Sequence, residues 1–296
     1  MNPSTGRTPF ADRLAALEDE RCSRICLGLD PIPGQAPWSS GEGSGTRERA
    51  AAAVEAGCRE LIAAAGPACV AVKPQLARFE ALGTPGWAAL ERVIQAAREA
   101  GLLVIADGKR GDVPVSAAAY ADALFGRTET PWGTIEGLGV DAATVNPLLG
   151  ADSLEPLVAA AEAAGAGIFA LVRTSNPGAA DLLDADAGGA PLHERIARMV
   201  DGLADRLAGA GAFSGAGAVV GATEPQFLDR LRELMPRAIF LLPGVGAQGG
   251  SADRLAAAFT GPGSALVTAS RSIAAAADPA AAAEELRAQV ASPADR

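Results

Sequence analysis

The chain has 296 residues, 49% of them hydrophobic, and 25 Lys and Arg against 35 Asp and Glu give it a formal net charge of −10. That length can bury a substantial core, while the acidic balance argues against nucleic acid as a partner, because phosphate-tracking proteins carry a surplus of Lys and Arg. The apolar runs are broken by charge, Gly or Pro well before the roughly 20 residues of a membrane span, and the opening MNPSTGRTPFADRL lacks the apolar stretch of a secretory signal. A cytoplasmic protein with no membrane partner is therefore expected.

In chain order, short β-type runs bounded by Gly, Pro or Asp occur at ICLGLD (25–30), CVAVKP (69–74), LLVIAD (102–107), AATVNP (142–147), GIFALV (167–172), GAVVGA (217–222), AIFLLP (238–243) and SALVTA (264–269). Between them lie Ala-, Leu-, Arg- and Glu-rich stretches at helical spacing, such as WAALERVIQAAREAG and FLDRLRELMP, several closed by the Gly or Pro of a helix end. Eight near-continuous apolar strands alternating with amphipathic helices predict an α/β protein, a parallel (β/α)8 TIM barrel forming a single domain over 1–296. Two stretches interrupt the rhythm, PGQAPWSSGEGSGT (33–46) and FGRTETPWGTIEGLG (125–139), and both read as loop insertions.

Residue supply limits the chemistry. Cys22, Cys26, Cys58 and Cys69 include no CxxC pair and have no nearby His, so buried, inert thiols are expected and not a zinc site or a disulfide framework. The only histidine, His193, lies in the helix-like PLHERIARMVDGLADRL, where a packing or surface role is expected.

In a barrel of this kind the site forms at the carboxyl ends of the strands. Those ends carry Asp30, Lys73, Asp107 with Lys109 and Asp112, Asn146, Arg173 with Ser175, Thr223, Pro243, and Ser270 with Arg271. In IADGKRGDV (105–113), Asp107 and Lys109 are two apart and share a side of extended chain, and Asp112 follows the turn at Gly111. Carboxylates flanking an ammonium keep that Lys charged and fixed, which suits a proton donor better than a Schiff-base nucleophile. Lys73 ends the neighbouring strand and extends this into an alternating array. A surface ion-pair network is the plainer reading of the same pattern. LLPGVGAQGG (241–250) and TASRSI (268–273) follow the last two strands, the usual phosphate position, with Gln248 and Arg271 as side-chain candidates.

At these residues the sequence resembles the orotidine 5′-phosphate decarboxylase family, in particular its longer bacterial branch with a KRGD motif. The blocks that carry the resemblance are GLDP (28–31), VKPQLARFEALG (72–83), ADGKRGDV (106–113), VNPLLGADS (145–153), RTSNPGA (173–179), PGVGAQGG (243–250) and SRSI (270–273). The resemblance implies cofactor-independent conversion of orotidine 5′-phosphate to UMP and carbon dioxide. In that reading Lys109 protonates C6, Asp107 lies near the substrate carboxylate, Asp30 and Lys73 bind ribose hydroxyls, and Ser175 meets the pyrimidine. Gln248 and Arg271, with Ser270 beside them, take the phosphate. The resemblance further implies a homodimer in which Asp112 enters the partner's site. Ser116 stands where many relatives have Thr and keeps the hydroxyl, while Arg110 and the 125–139 segment have no counterpart in the shorter branch.

Two other reactions fit part of this pattern. Mg²⁺-dependent sugar-phosphate decarboxylases and synthases share the D-x-K-x-x-D block but hold metal through an acidic residue near the end of the second strand, where this chain has Lys73, so no metal site is expected. A Schiff-base aldolase needs a neutral Lys, which the Asp-flanked Lys109 does not offer.

Overall fold

The computed structural model describes residues 7–244, 255 and 257–290. All eight apolar runs form strands: β1 (Ile25–Leu29), β2 (Ala71–Pro74), β3 (Leu103–Arg110), then, past the short pair β4 (Arg127–Thr130) and β5 (Gly133–Glu136), β6 (Ala142–Val145), β7 (Gly167–Arg173), β8 (Ser214–Val220), β9 (Ala238–Pro243) and β10 (Ala265–Ala269). Apart from β4 and β5 they pair in parallel and close in the order β1-β10-β9-β8-β7-β6-β3-β2. The chain is a (β/α)8 barrel.

The near-continuous hydrophobicity of these strands follows from burial on both faces. Along β3, Leu103 and Ile105 point into the barrel, while Val104 and Ala106 pack outward under the helices. The interior is plugged at the amino-terminal end of the strands by the helix Phe10–Arg21, whose Phe10, Ala11 and Leu14 join the interior cluster. The Phe10 ring meets Phe169 edge-on, with centroids 5.9 Å apart. Room for these rings depends on glycine, since a Cβ at Gly167 would fall 2.7 Å from the Phe10 ring and one at Gly217 2.6 Å from Phe169. Beside the plug, the buried Asp141 accepts the Val104 N–H at 2.8 Å and pairs with Arg7 and Arg13, so the start of the chain is tied to the barrel floor.

The two insertions behave differently. The 33–46 stretch is made of turns and anchors itself through Trp38, which is buried against the helix Thr46–Ala65 where Gly57 leaves space for the indole. The 125–139 stretch, expected as a loop, instead forms the antiparallel hairpin β4–β5 with four cross-strand pairs. Its strands are almost wholly solvent-exposed and carry no alternating apolar face, which is why the pattern of hydrophobicity does not reveal it. Cys26, Cys58 and Cys69 are buried, and burial pushes all three thiols well above the ordinary range. Cys22 departs from expectation: it follows the last turn of its helix in a left-handed conformation and is exposed. His193 is a packing residue, its Nδ1 2.8 Å from the Leu183 carbonyl and its ring edge-on to Phe227. Among the described residues, no helix is long and apolar enough to cross a membrane.

If the amino-terminal helix is a true plug, Phe10→Ala removes a fully buried ring whose site has little freedom to collapse. The expected loss is about 3–5 kcal/mol, read as a lower urea midpoint with unchanged m-value. An unaltered midpoint would mean that Phe10 is not part of the core.

Candidate active site

The strand ends converge on Asp107. Its carboxylate is buried and receives Lys73 Nζ at 2.5 Å on Oδ2 and Lys109 Nζ at 2.6 Å on Oδ1. Gln75 Nε2 donates to Oδ2 at 3.2 Å, and Thr144 Oγ1 donates to Oδ1 at 2.9 Å. Burial alone would raise the carboxyl pKa, but the two ammonium groups outweigh it and hold the group down at about 2. Burial likewise works against the Lys73 ammonium, and Asp107 and Asp30 more than offset it, so the Lys73 pKa is raised. Lys109 is the solvent-facing member of the array.

Local backbone shape delivers these groups. The β3–β6 ladder pairs Ala106 with Ala143 and next Arg110 with Val145, so the Asp107–Lys109 segment bulges from the sheet. Within the bulge Lys109 has φ +47°, a left-handed conformation rare outside glycine. Gly111 lets the following turn press against the next strand end, since a Cβ there would lie 2.6 Å from the Asn146 carbonyl oxygen.

Two cavities meet at Lys73 and Pro243. One, of about 390 Å³, is lined by Asp107, Lys109, Thr144 and Ser175, and the other, of about 360 Å³, by Asp30, Arg78, Ser270 and Arg271. The close approach of β1 to the segment after β10 requires Gly28, whose Cβ would fall 2.7 Å from that of Ser270. Ser270 Oγ is buried and has no hydrogen-bond partner among the described residues. Thus Lys73, Asp107, Lys109, Asp30, Ser175, Ser270 and Arg271 share one continuous region at the strand ends.

Other sequence-predicted residues lie elsewhere. Asp112 and Ser116 line neither cavity; Asp112 Oδ1 accepts the Val113 N–H at 2.8 Å, and Ser116 is exposed on the first turn of the helix Pro114–Leu124. Gln248 lies outside the described residues. Arg173 turns away from the cavities, gripping Asp184 with two hydrogen bonds of 2.8 and 3.0 Å and the Thr174 carbonyl at 2.6 Å, and so braces the segment that carries Ser175. Arg110 also faces outward, paired with Glu80 and lying over the Tyr120 ring. Sequence reasoning missed Gln75 and Thr144. The available signal was polarity out of place, a Thr inside the apolar run AATV and a Gln directly after the strand end KP.

Comparison with known proteins decides the family. The profile described as "Orotidine 5′-phosphate decarboxylase / HUMPS family" matches residues 23–286. The chain belongs to this family. It is 44% identical over 270 residues to the orotidine 5′-phosphate decarboxylase of Rhodopirellula baltica, covering 89% of this chain and 87% of that protein. The structure of Leishmania donovani OMP decarboxylase superposes with a TM-score of 0.75 at 34% identity, covering 96% of this chain and 97% of the other. Against Leishmania donovani UMP synthase the TM-score is 0.76 at 35% identity, with 96% of this chain covered but 56% of the larger one.

The depressed Asp107 pKa has a definite consequence for stability. The unfolded chain takes up the proton first, near the ordinary value of about 4. The ionised group therefore contributes its full stabilisation above that pH and loses it as pH falls toward about 2. Between pH 5 and 3 the urea midpoint of the wild type should fall more steeply than that of Asp107→Asn, which lacks this titration. Parallel profiles would show that Asp107 is not held ionised by its neighbours.

Proposed function

We propose that this chain is an orotidine 5′-phosphate decarboxylase, releasing carbon dioxide from the substrate to form UMP in pyrimidine biosynthesis, with all of the chemistry supplied by side chains of the barrel. The observation that carries the reading is the buried Asp107 held between Lys73 and Lys109 where the two cavities meet. Family membership, and relatives named for this reaction over most of their length, support the same conclusion.

In this reading the C6–carboxylate bond breaks, carbon dioxide leaves, and the electron pair stays on C6, where no adjacent carbonyl delocalises it well. The Lys109 ammonium, fixed by Asp107, stabilises that developing charge and then delivers its proton to C6; solvent reprotonates the amine. A preorganised cation aimed at charge that appears only in the transition state raises the rate without merely tightening ground-state binding. Asp107 keeps Lys109 in place and presents negative charge beside the departing carboxylate. Asp30 and Lys73 bind the ribose hydroxyls and Ser175 the pyrimidine. Ser270, Arg271 and Gln248 hold the phosphate, whose remote binding energy supports orientation of the ring. A metal-dependent sugar-phosphate reaction is disfavoured because Lys73 Nζ, 2.5 Å from Asp107, puts a cation where a metal-binding carboxylate would be needed.

The working unit in this proposal is a homodimer, one barrel domain per chain, with Asp112 and Ser116 serving the partner's site. The surface around Asp112 supports this. Val113 and Val115 are exposed directly after it, the latter by 87%, and Leu148 and Leu149 are exposed in the loop that Gly111 packs against. Clustered exposed apolar side chains of this kind mark interaction surfaces.

The first test follows the loss of orotate absorbance when EDTA-treated protein is given orotidine 5′-phosphate. Wild type should consume the substrate and Lys109→Ala should fail to do so; a folded wild type without turnover contradicts the proposal. For the shared site, equal mixing of Asp112→Ala and Lys109→Ala subunits should restore about a quarter of wild-type activity, since half of the dimers are mixed and each carries one intact site. Demonstrated subunit exchange with no gain over either parent would overturn it.

A further inference from the structure

The bulge that presents Asp107 and Lys109 leaves a ladder position unfilled, and one hydroxyl fills it. Opposite the bulge stands Thr144, almost completely buried in the middle of β6. Its Oγ1 accepts the Lys109 backbone N–H at 2.9 Å and donates its proton to Asp107 Oδ1 at 2.9 Å. The direction of these bonds is forced. An ionised carboxylate only accepts, so the hydroxyl proton must go to Asp107, and the lone pair that remains faces the amide.

Resting on the function proposed above, we propose that Thr144 is a positioning residue for the reaction, setting the backbone of Lys109 and the carboxylate of Asp107 relative to one another through a single oxygen. The two groups also meet through Lys109 Nζ, but that contact is made at the end of a flexible four-carbon stem. Fixing the ammonium in space therefore requires the backbone at its base to be fixed as well. That backbone has φ +47°, a conformation that a Lys does not hold without restraint from its surroundings. Thr144 supplies the restraint from the neighbouring strand, and the same atom orients the carboxylate that receives the ammonium. Side chain and main chain of Lys109 are thereby referred to one fixed point.

Three substitutions separate this role from simple packing. Thr144→Val keeps the branched shape and removes both hydrogen bonds, Thr144→Ser keeps the hydroxyl and removes a methyl group, and Thr144→Ala removes both features. Thr144→Val should lower kcat about 10- to 100-fold, the loss typical of a small displacement of a catalytic group, with KM changed less than about threefold. Thr144→Ser should restore kcat to within about threefold of wild type, and Thr144→Ala should resemble Thr144→Val. Independently of turnover, hydrogen exchange at the Lys109 amide should be faster in Thr144→Val and near wild type in Thr144→Ser. Wild-type kcat in Thr144→Val, or equal damage to kcat and KM in both Val and Ser variants, would overturn the proposal. An inactive wild type would instead overturn the assigned function, and unchanged Lys109 exchange in Thr144→Val would still refute the positioning contact.

Discussion

A carboxylate buried between two ammonium groups is the constraint on which the rest of this structure depends. Removing Asp107, Lys73 and the foot of Lys109 from water costs several kcal/mol per ion. The 2.5 Å contact of the buried Lys73 returns several kcal/mol at an effective dielectric near 20, while the 2.6 Å contact of the half-exposed Lys109 is screened by solvent and returns less. Penalty and return are of the same size, so the buried Lys73–Asp107 pair adds little net stability. Deleting Asp107 leaves the buried Lys73 ammonium without its ion-pair partner. The arrangement makes little sense as a device for stability and good sense as one for holding Lys109 at a set place.

The barrel supplies what this constraint needs. Asp107 lies in β3, with Lys73 reaching it from β2 on one side and Thr144 from β6 on the other, so three adjacent strands converge on one carboxylate. The bulge in β3 turns the segment out of the sheet, and Gly111 and Gly28 permit close backbone approaches that no larger residue allows. Further out, Arg173 and Asp184 brace the segment bearing Ser175. At the opposite end of the strands Phe10 and Asp141 close the floor, separating the residues that hold the barrel together from those that face the substrate region.

Much of this was legible in the sequence because the signals were periodic or local. Strands buried on both faces leave continuous apolar runs, and all eight runs are strands of the barrel. Residues at strand ends needed only the rule that such ends converge, which is why Asp30, Lys73, Asp107, Lys109 and Ser270 could be named beforehand. Other features depend on register and side-chain direction. Thr144 lies within an apolar run, and only the bulge opposite explains its polarity. Arg173 has the charge and position of a ligand-binding residue, but Asp184, eleven residues on, turns it outward. The hairpin β4–β5 has no buried face and so leaves no hydrophobic pattern to read. Cys22 is exposed because the chain leaves its helix there, a local event that residue type does not disclose.

The most direct test of the central claim is the ionisation of Asp107 itself. A carbon-13 NMR titration of its carboxyl carbon, assigned by loss of the signal in Asp107→Asn, should give a pKa near 2 in the wild type, rising when Lys109→Ala removes one of the opposing ammonium groups. An Asp107 that titrates at the ordinary value of about 4 and is indifferent to Lys109 would contradict the account.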